Sequence, residues 1–185
     1  MVNFILNRRF LVLYVLPFCL GLLTVLSFKP FNLSLINFIL LPIFFSIIVY
    51  VRKKSESFYR KKPYKKNLFT LGFVFGFGFF LSGIFWISYS LTFDDSFKYL
   101  IPFAIIFIPL FLSIFTGLTI LFVGQYLSYN ISSILLFSAS LALCDYIRGK
   151  ILSGFPWNLW GYSWSWFTEI LQILNQIGLF AFNLL

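Results

Sequence analysis

The sequence predicts an all-α polytopic membrane protein with about six transmembrane helices, for two reasons. First, 61% of the 185 residues are hydrophobic and only 10% are charged, with a mean hydropathy of +0.96. That composition is more hydrophobic and less charged than that of a typical soluble domain. Second, the apolar residues fall into separate runs close to the roughly 20 residues that a helix needs to cross a bilayer. We therefore treat residues 1–185 as a single transmembrane domain.

The first two spans are residues 10–28 and 33–51, with Pro30 in the tight connection between them. Arg8 and Arg9 precede the first run, as in a cleaved signal peptide. The run is long and has no small-residue cleavage pattern, which favours a retained signal-anchor helix. The basic loop 52–66 follows. Its simplest interpretation is a topology signal, because cytoplasmic loops are rich in Lys and Arg. Specific binding of lipid or nucleic acid is the less favoured alternative, and we expect no nucleic-acid partner.

The next three spans are residues 68–91, 99–126 and 131–147. Asp94 and Asp95 form an acidic turn after the third span, and a turn rich in Ser and Asn precedes the fifth. A loop over residues 148–165 leads to residues 166–185, where a sixth span begins. The last residues are still apolar, so we expect the chain to be cut off within or at the end of that span.

The basic residues also predict an orientation. Placing the N-terminus and the loop 52–66 in the cytoplasm satisfies the positive-inside preference. Alternation then puts Asp94 and the loop 148–165 outside, so Arg148 lies on the disfavoured side. Two partners explain it equally well: Asp145, three residues earlier on the same helix face, or the phosphate of an anionic ligand.

The chain contains no histidine and two cysteines, Cys19 and Cys144. The absence of histidine excludes His-based triads, His-ligated metals and histidine proton relays. Both cysteines lie in apolar runs, where a thiol is inert, so packing is the favoured role. We expect no cofactor and no metal site.

In the third span, Gly72 and Gly76 form a small-xxx-small repeat that lets a neighbouring helix approach closely.

The loop after the fifth span combines cations, glycines, a proline and large aromatic side chains. An aromatic belt at the membrane interface explains Trp and Tyr alone, but it does not require the Arg-Gly and Gly-Phe-Pro-Trp pieces beside them. We therefore predict a binding site in this loop. Its candidate substrate-binding residues are Arg148, Gly154, Phe155, Pro156, Trp157 and Tyr162.

Three stretches together resemble the membrane half of the apolipoprotein N-acyltransferases. They are residues 27–33, residues 72–86, and Arg148-Gly149 with residues 154–163. The last stretch is the most specific, because both its order and its place after a fifth helix are similar to the family. The chain departs from the family pattern at Asp145, where the family has a glutamate, and at Lys150, where an aromatic residue is commoner.

The resemblance implies an enzyme of the bacterial plasma (inner) membrane with two substrates. A phospholipid donates an acyl chain, which passes through a cysteine thioester to the N-terminal cysteine of a lipoprotein. The family's catalytic glutamate, lysine and cysteine belong to a nitrilase-like domain that follows the membrane helices. No residue of this chain matches them. We therefore expect no catalytic residue here, no activity from these residues alone, and a truncated or split enzyme. A separate nitrilase-like chain is the candidate partner that supplies the missing domain.

Two alternatives from other classes remain open. A small transporter or channel would carry ionisable residues inside its spans, and only Asp145 qualifies. A membrane scaffold would show spans and packing motifs alone, and the aromatic loop argues against it.

Overall fold

A computed structural model describes residues 8–58, 64–151, 154 and 156–183, and within them the protein is helical without strands. Five helical stretches are long and apolar enough to cross a membrane. This confirms the predicted all-α membrane class. The five stretches are Arg8–Ser27, Ser34–Lys54, Tyr64–Thr92, Asp95–Val123 and Ile131–Lys150.

Five regular α-helices form the centres of these spans. They are α1 (Leu16–Thr24), α2 (Asn37–Phe58), α3 (Tyr64–Ile84), α4 (Ile101–Val123) and α5 (Ile131–Lys150). A π-helical segment, Leu11–Val15, precedes α1, and short 3₁₀ segments adjoin the helices at Val25–Ser27, Ser34–Ile36, Phe85–Thr92 and Asp95–Leu100. After α5 come a 3₁₀ turn at Trp160–Trp164 and three four-residue helices, α6 (Thr168–Leu171), α7 (Leu174–Ile177) and α8 (Leu179–Phe182).

The basic segment predicted as a loop over residues 52–66 is largely helical. Helix α2 continues to Phe58 and α3 begins at Tyr64. Lysine and arginine are good helix formers, so both helices extend past the apolar run that crosses the membrane.

The sixth span predicted over residues 166–185 is not confirmed. In its place the described residues form α6, α7 and α8, which are interrupted at Gly178 with φ +77°. The prediction counted apolar residues and gave too little weight to the polar ones among them, Glu169, Gln172, Asn175 and Gln176. A continuous helix would carry these polar groups into the hydrocarbon, at a cost in free energy.

Helix α3 is the centre of the bundle, because it packs against both α1 and α4. The predicted small-residue repeat of α3 permits the contact with α4, and Gly21 permits the contact with α1. A Cβ atom added to Gly72 would lie 2.5 Å from the Thr116 carbonyl oxygen of α4. On the other side, one added to Gly21 of α1 would lie 2.8 Å from the Phe79 backbone nitrogen. Small residues at these positions bring the helix backbones into direct contact.

Aromatic side chains fill the space between α2, α3 and α5. Phe44 of α2 stacks on Phe75 of α3 with ring centroids 4.0 Å apart, and Phe137 of α5 packs against Phe44 and Phe45. At one end of this core the Ser34 hydroxyl donates a hydrogen bond to the Ser163 carbonyl. The bundle therefore holds the segment after α5 against the start of the second span.

Candidate functional site

The site is built on a buried ion pair in the last turns of α5. The Arg148 Nη2 atom lies 2.9 Å from the Asp145 Oδ1 atom. Arg148 is 2% exposed and Asp145 is 5% exposed. Spacing of three residues places both side chains on one face of the helix. Of the two partners that the sequence allowed for Arg148, the structure shows the carboxylate.

The same two side chains hold the backbone of the aromatic loop. Arg148 Nη1 donates to the Trp157 carbonyl at 2.6 Å, and the Trp160 backbone N–H donates to Asp145 Oδ2 at 3.0 Å. Between these two anchors Asn158 adopts φ +52°, in the left-handed region. The ion pair thus fixes both ends of a tight turn, and hydrogen bonds to charged groups are stronger than neutral ones.

Asn183 completes this network. Its Nδ2 atom donates to Asp145 Oδ2 at 2.9 Å, and its Oδ1 atom accepts from the Gly161 backbone N–H at 2.7 Å. The sequence analysis missed this residue. The available signal was an amide side chain within the apolar stretch that follows Gly178, where a polar group needs a hydrogen-bond partner.

The aromatic loop packs onto the end of α3. Trp160 stacks on Phe79 with ring centroids 5.3 Å apart and an interplanar angle of 6°. Trp157 meets Trp86 edge-on at 5.4 Å. A Cβ atom on Gly83 would overlap the Asn158 side-chain amide. Gly83 therefore permits the close approach that brings the two tryptophans together.

The predicted site residues occupy different environments. Arg148 is buried, whereas Trp157 is 49% exposed and Tyr162 is 38% exposed. Gly154 has φ +77°, a conformation that glycine adopts without strain, and Pro156 is exposed. Phe155 lies outside the described residues. The structure therefore brings Trp157 together with Trp86, and it shows Arg148 hydrogen-bonded to the loop backbone.

Two cavities adjoin the loop. One of about 380 Å³ lies between Trp157 and the 3₁₀ segment Phe85–Thr92, and its wall is largely aromatic. Its lining residues are Trp86, Ile87, Tyr89, Ser90, Phe93 and Trp157. The second, of about 270 Å³, lies between α2, α5 and the Trp160–Trp164 turn. Both offer mainly apolar surface, which suits hydrocarbon chains.

Neither cysteine takes part in the hydrogen bonds described for this site. Cys19 is exposed on α1, and Cys144 is buried on α5 as a free thiol. Among the described residues no group of three His, Cys, Asp or Glu side chains is placed to hold a metal ion. The arrangement offers an aromatic rim, formed by Trp86 and Trp157, beside a mainly apolar cavity.

The five membrane-length helices found among the described residues define a multi-pass membrane protein. The sequence model described as "Apolipoprotein N-acyltransferase N-terminal domain" matches residues 20–185. The chain therefore belongs to the apolipoprotein N-acyltransferase family.

Individual relatives agree with this assignment. The apolipoprotein N-acyltransferase of Rhodopseudomonas palustris is 32% identical over 172 residues, covering 92% of this chain and 31% of the relative. That of Bradyrhizobium diazoefficiens is 34% identical over 166 residues, covering 89% and 30%. That of Rickettsia bellii is 36% identical over 114 residues, covering 61% and 23%. The chain thus spans just under a third of the first two relatives, and the transporter and scaffold alternatives are not favoured.

Proposed function

We propose that these residues are the membrane domain of an enzyme that transfers an acyl chain from a phospholipid to the N-terminal cysteine of lipoproteins. The observation that carries the proposal is the fixed aromatic loop, with Trp157 against Trp86 beside an apolar cavity, in a chain that matches the family's N-terminal domain. The domain positions lipid substrates. The remainder of the enzyme, or a separate nitrilase-like chain, supplies the catalytic residues.

In this proposal Trp157 forms the rim of the lipid site. A half-exposed indole at the interface offers an apolar face to an acyl chain and sits among headgroups. Gly154, Pro156 and Tyr162 belong to the same rim, and Phe155 is assigned to it from the sequence alone. Arg148 acts as a positioning residue, since its Nη1 and Nη2 atoms donate to the Trp157 carbonyl and to the Asp145 carboxylate.

Trp157→Ala tests this role in a joined protein, in which residues 1–185 are continued by the remaining part of the Rickettsia bellii relative. We expect Trp157→Ala to lower acyl transfer at least tenfold, because one wall of the cavity is removed. Trp166→Ala, at a more exposed tryptophan (62%), is the matched control and should change the rate less than twofold. A difference of about an order of magnitude is expected for the loss of one aromatic contact.

The comparison is informative only if both variants insert and accumulate like the parent protein, which immunoblotting of membranes measures. Equal losses of activity from the two substitutions would reduce the loop to a general interface anchor and contradict the proposed role of Trp157.

We further propose that the protein lies in the bacterial inner membrane with its N-terminus in the cytoplasm and the aromatic loop on the outer side. The distribution of Lys and Arg supports this orientation, because alternation of the first two spans puts their Arg8 and Lys54 ends on one side.

Cysteine labelling checks the orientation. In a background with Cys19 and Cys144 replaced by alanine, Ser96→Cys in intact cells should react with a membrane-impermeant maleimide. Lys65→Cys, at the other end of α3, should react only after the membrane is opened. Both positions are exposed, so the opposite labelling pattern would reverse the orientation.

A further inference from the structure

The net charge of the chain is concentrated in two segments of the sequence. Ten of the 14 cations occur at residues 8–9 and 52–66, accompanied by a single acid, Glu56. Elsewhere in the sequence four cations are balanced by four acids. These two segments therefore carry the formal net charge of +9. The structure describes seven of their cations, which we call the basic face: Arg8, Arg9, Arg52, Lys53, Lys54, Lys65 and Lys66.

Contacts made by three of these cations join segments that are far apart in the sequence. Arg9 Nη2 donates to Asn67 Oδ1 at 3.4 Å, which joins the first span to the start of α3. Arg52 Nη1 donates to the Leu127 carbonyl at 2.6 Å, which joins the end of α2 to the connection between α4 and α5. Beside it, Lys53 Nζ lies 5.0 Å from the Tyr129 ring centroid.

The position of the basic face selects the class of partner. Its cations lie where the first span begins, where the second ends and where the third begins. The ends of membrane spans lie at the depth of the lipid headgroups. Long basic side chains extend from such positions toward the interface while their stems cover apolar surface. Clusters of four to eight Lys and Arg next to transmembrane helices are typical of anionic-lipid binding.

We propose that the basic face binds the headgroups of anionic phospholipids and retains them in preference to zwitterionic ones. The binding surface is at the opposite end of the helices from the aromatic loop and does not depend on the proposed acyl transfer. The positive-inside preference explains why the cations lie on one side. It does not require the contacts by which Arg9 joins the first span to α3, or those by which Arg52 and Lys53 join α2 to the α4–α5 connection.

Native mass spectrometry of the purified chain in detergent tests the proposal, with phosphatidylglycerol and phosphatidylcholine offered in equal amounts. We expect preferential retention of phosphatidylglycerol, weakened by added salt. The test variant is the triple substitution Lys53→Gln, Lys65→Gln and Lys66→Gln. It should lower affinity for phosphatidylglycerol by about fivefold per cation removed.

The matched control removes the same charge from the other end, through Lys29→Gln, Lys98→Gln and Lys150→Gln, and should leave the preference intact. Lys→Arg substitution at the three test positions should preserve it too, which separates charge from folding. Inorganic phosphate or a short RNA should displace little of the bound lipid. Equal loss in both Gln triples, no preference between the lipids, or tighter binding of RNA than of phosphatidylglycerol would overturn the proposal.

Discussion

Arg148→Leu is expected to lower the free energy of unfolding by about 3–5 kcal/mol, the usual cost of removing one partner from a buried ion pair. The substitution leaves the Asp145 carboxylate buried without its cation, and it removes the hydrogen bond to the Trp157 carbonyl. For a chain of this size that loss corresponds to a fall of roughly 10 °C in the midpoint of thermal unfolding. Intrinsic tryptophan fluorescence in detergent measures it.

Lys150→Leu is the matched control, because Lys150 is an exposed cation two residues later on α5. Its effect should stay within about 0.5 kcal/mol, as for most surface substitutions. The double variant Asp145→Leu/Arg148→Leu should cost less than the two single changes added together, since no isolated charge remains buried. Strict additivity, or a Lys150→Leu variant as unstable as Arg148→Leu, would show that the pair does not hold the loop.

Residues 1–185 alone should leave lipoproteins without the transferred acyl chain, whereas the joined protein should add it. Covalent acyl transfer needs an activated nucleophile beside a base. The chain has no histidine, and its cysteines lie on α1 and α5, one exposed and one buried. The family resemblance assigns the catalytic glutamate, lysine and cysteine to a domain that these residues do not include. The expected difference is therefore between no detectable transfer and transfer.

The long apolar spans could be predicted from sequence because the bilayer requires them. A run of about 20 apolar residues has few alternatives to a membrane helix, and the described part of the chain contains five such spans. The same reasoning was insufficient after Trp166, where apolar residues alternate with polar ones and Gly178 takes a positive φ. Apolar content alone does not distinguish a continuous span from short helices.

The candidate site could be predicted in part. Spacing along one helix allowed the Asp145–Arg148 pair, because residues three apart share a face. It did not reveal the Trp160 N–H or the Asn183 amide on the same carboxylate. These partners are 15 and 38 residues away from Asp145, and only the folded chain brings them together. The pairing of Trp157 with Trp86 was missed for the same reason.

The most direct measurement of the central claim is the mass of the N-terminal peptide of a lipoprotein from cells depleted of their own N-acyltransferase. In cells that make the joined protein, the peptide should carry the additional amide-linked acyl chain. In cells that make residues 1–185 alone, in equal amount and inserted in the membrane, it should not. Acylation by residues 1–185 alone, or a stable and inserted joined protein that adds no acyl chain, would contradict the assignment of these residues as the membrane domain of an apolipoprotein N-acyltransferase.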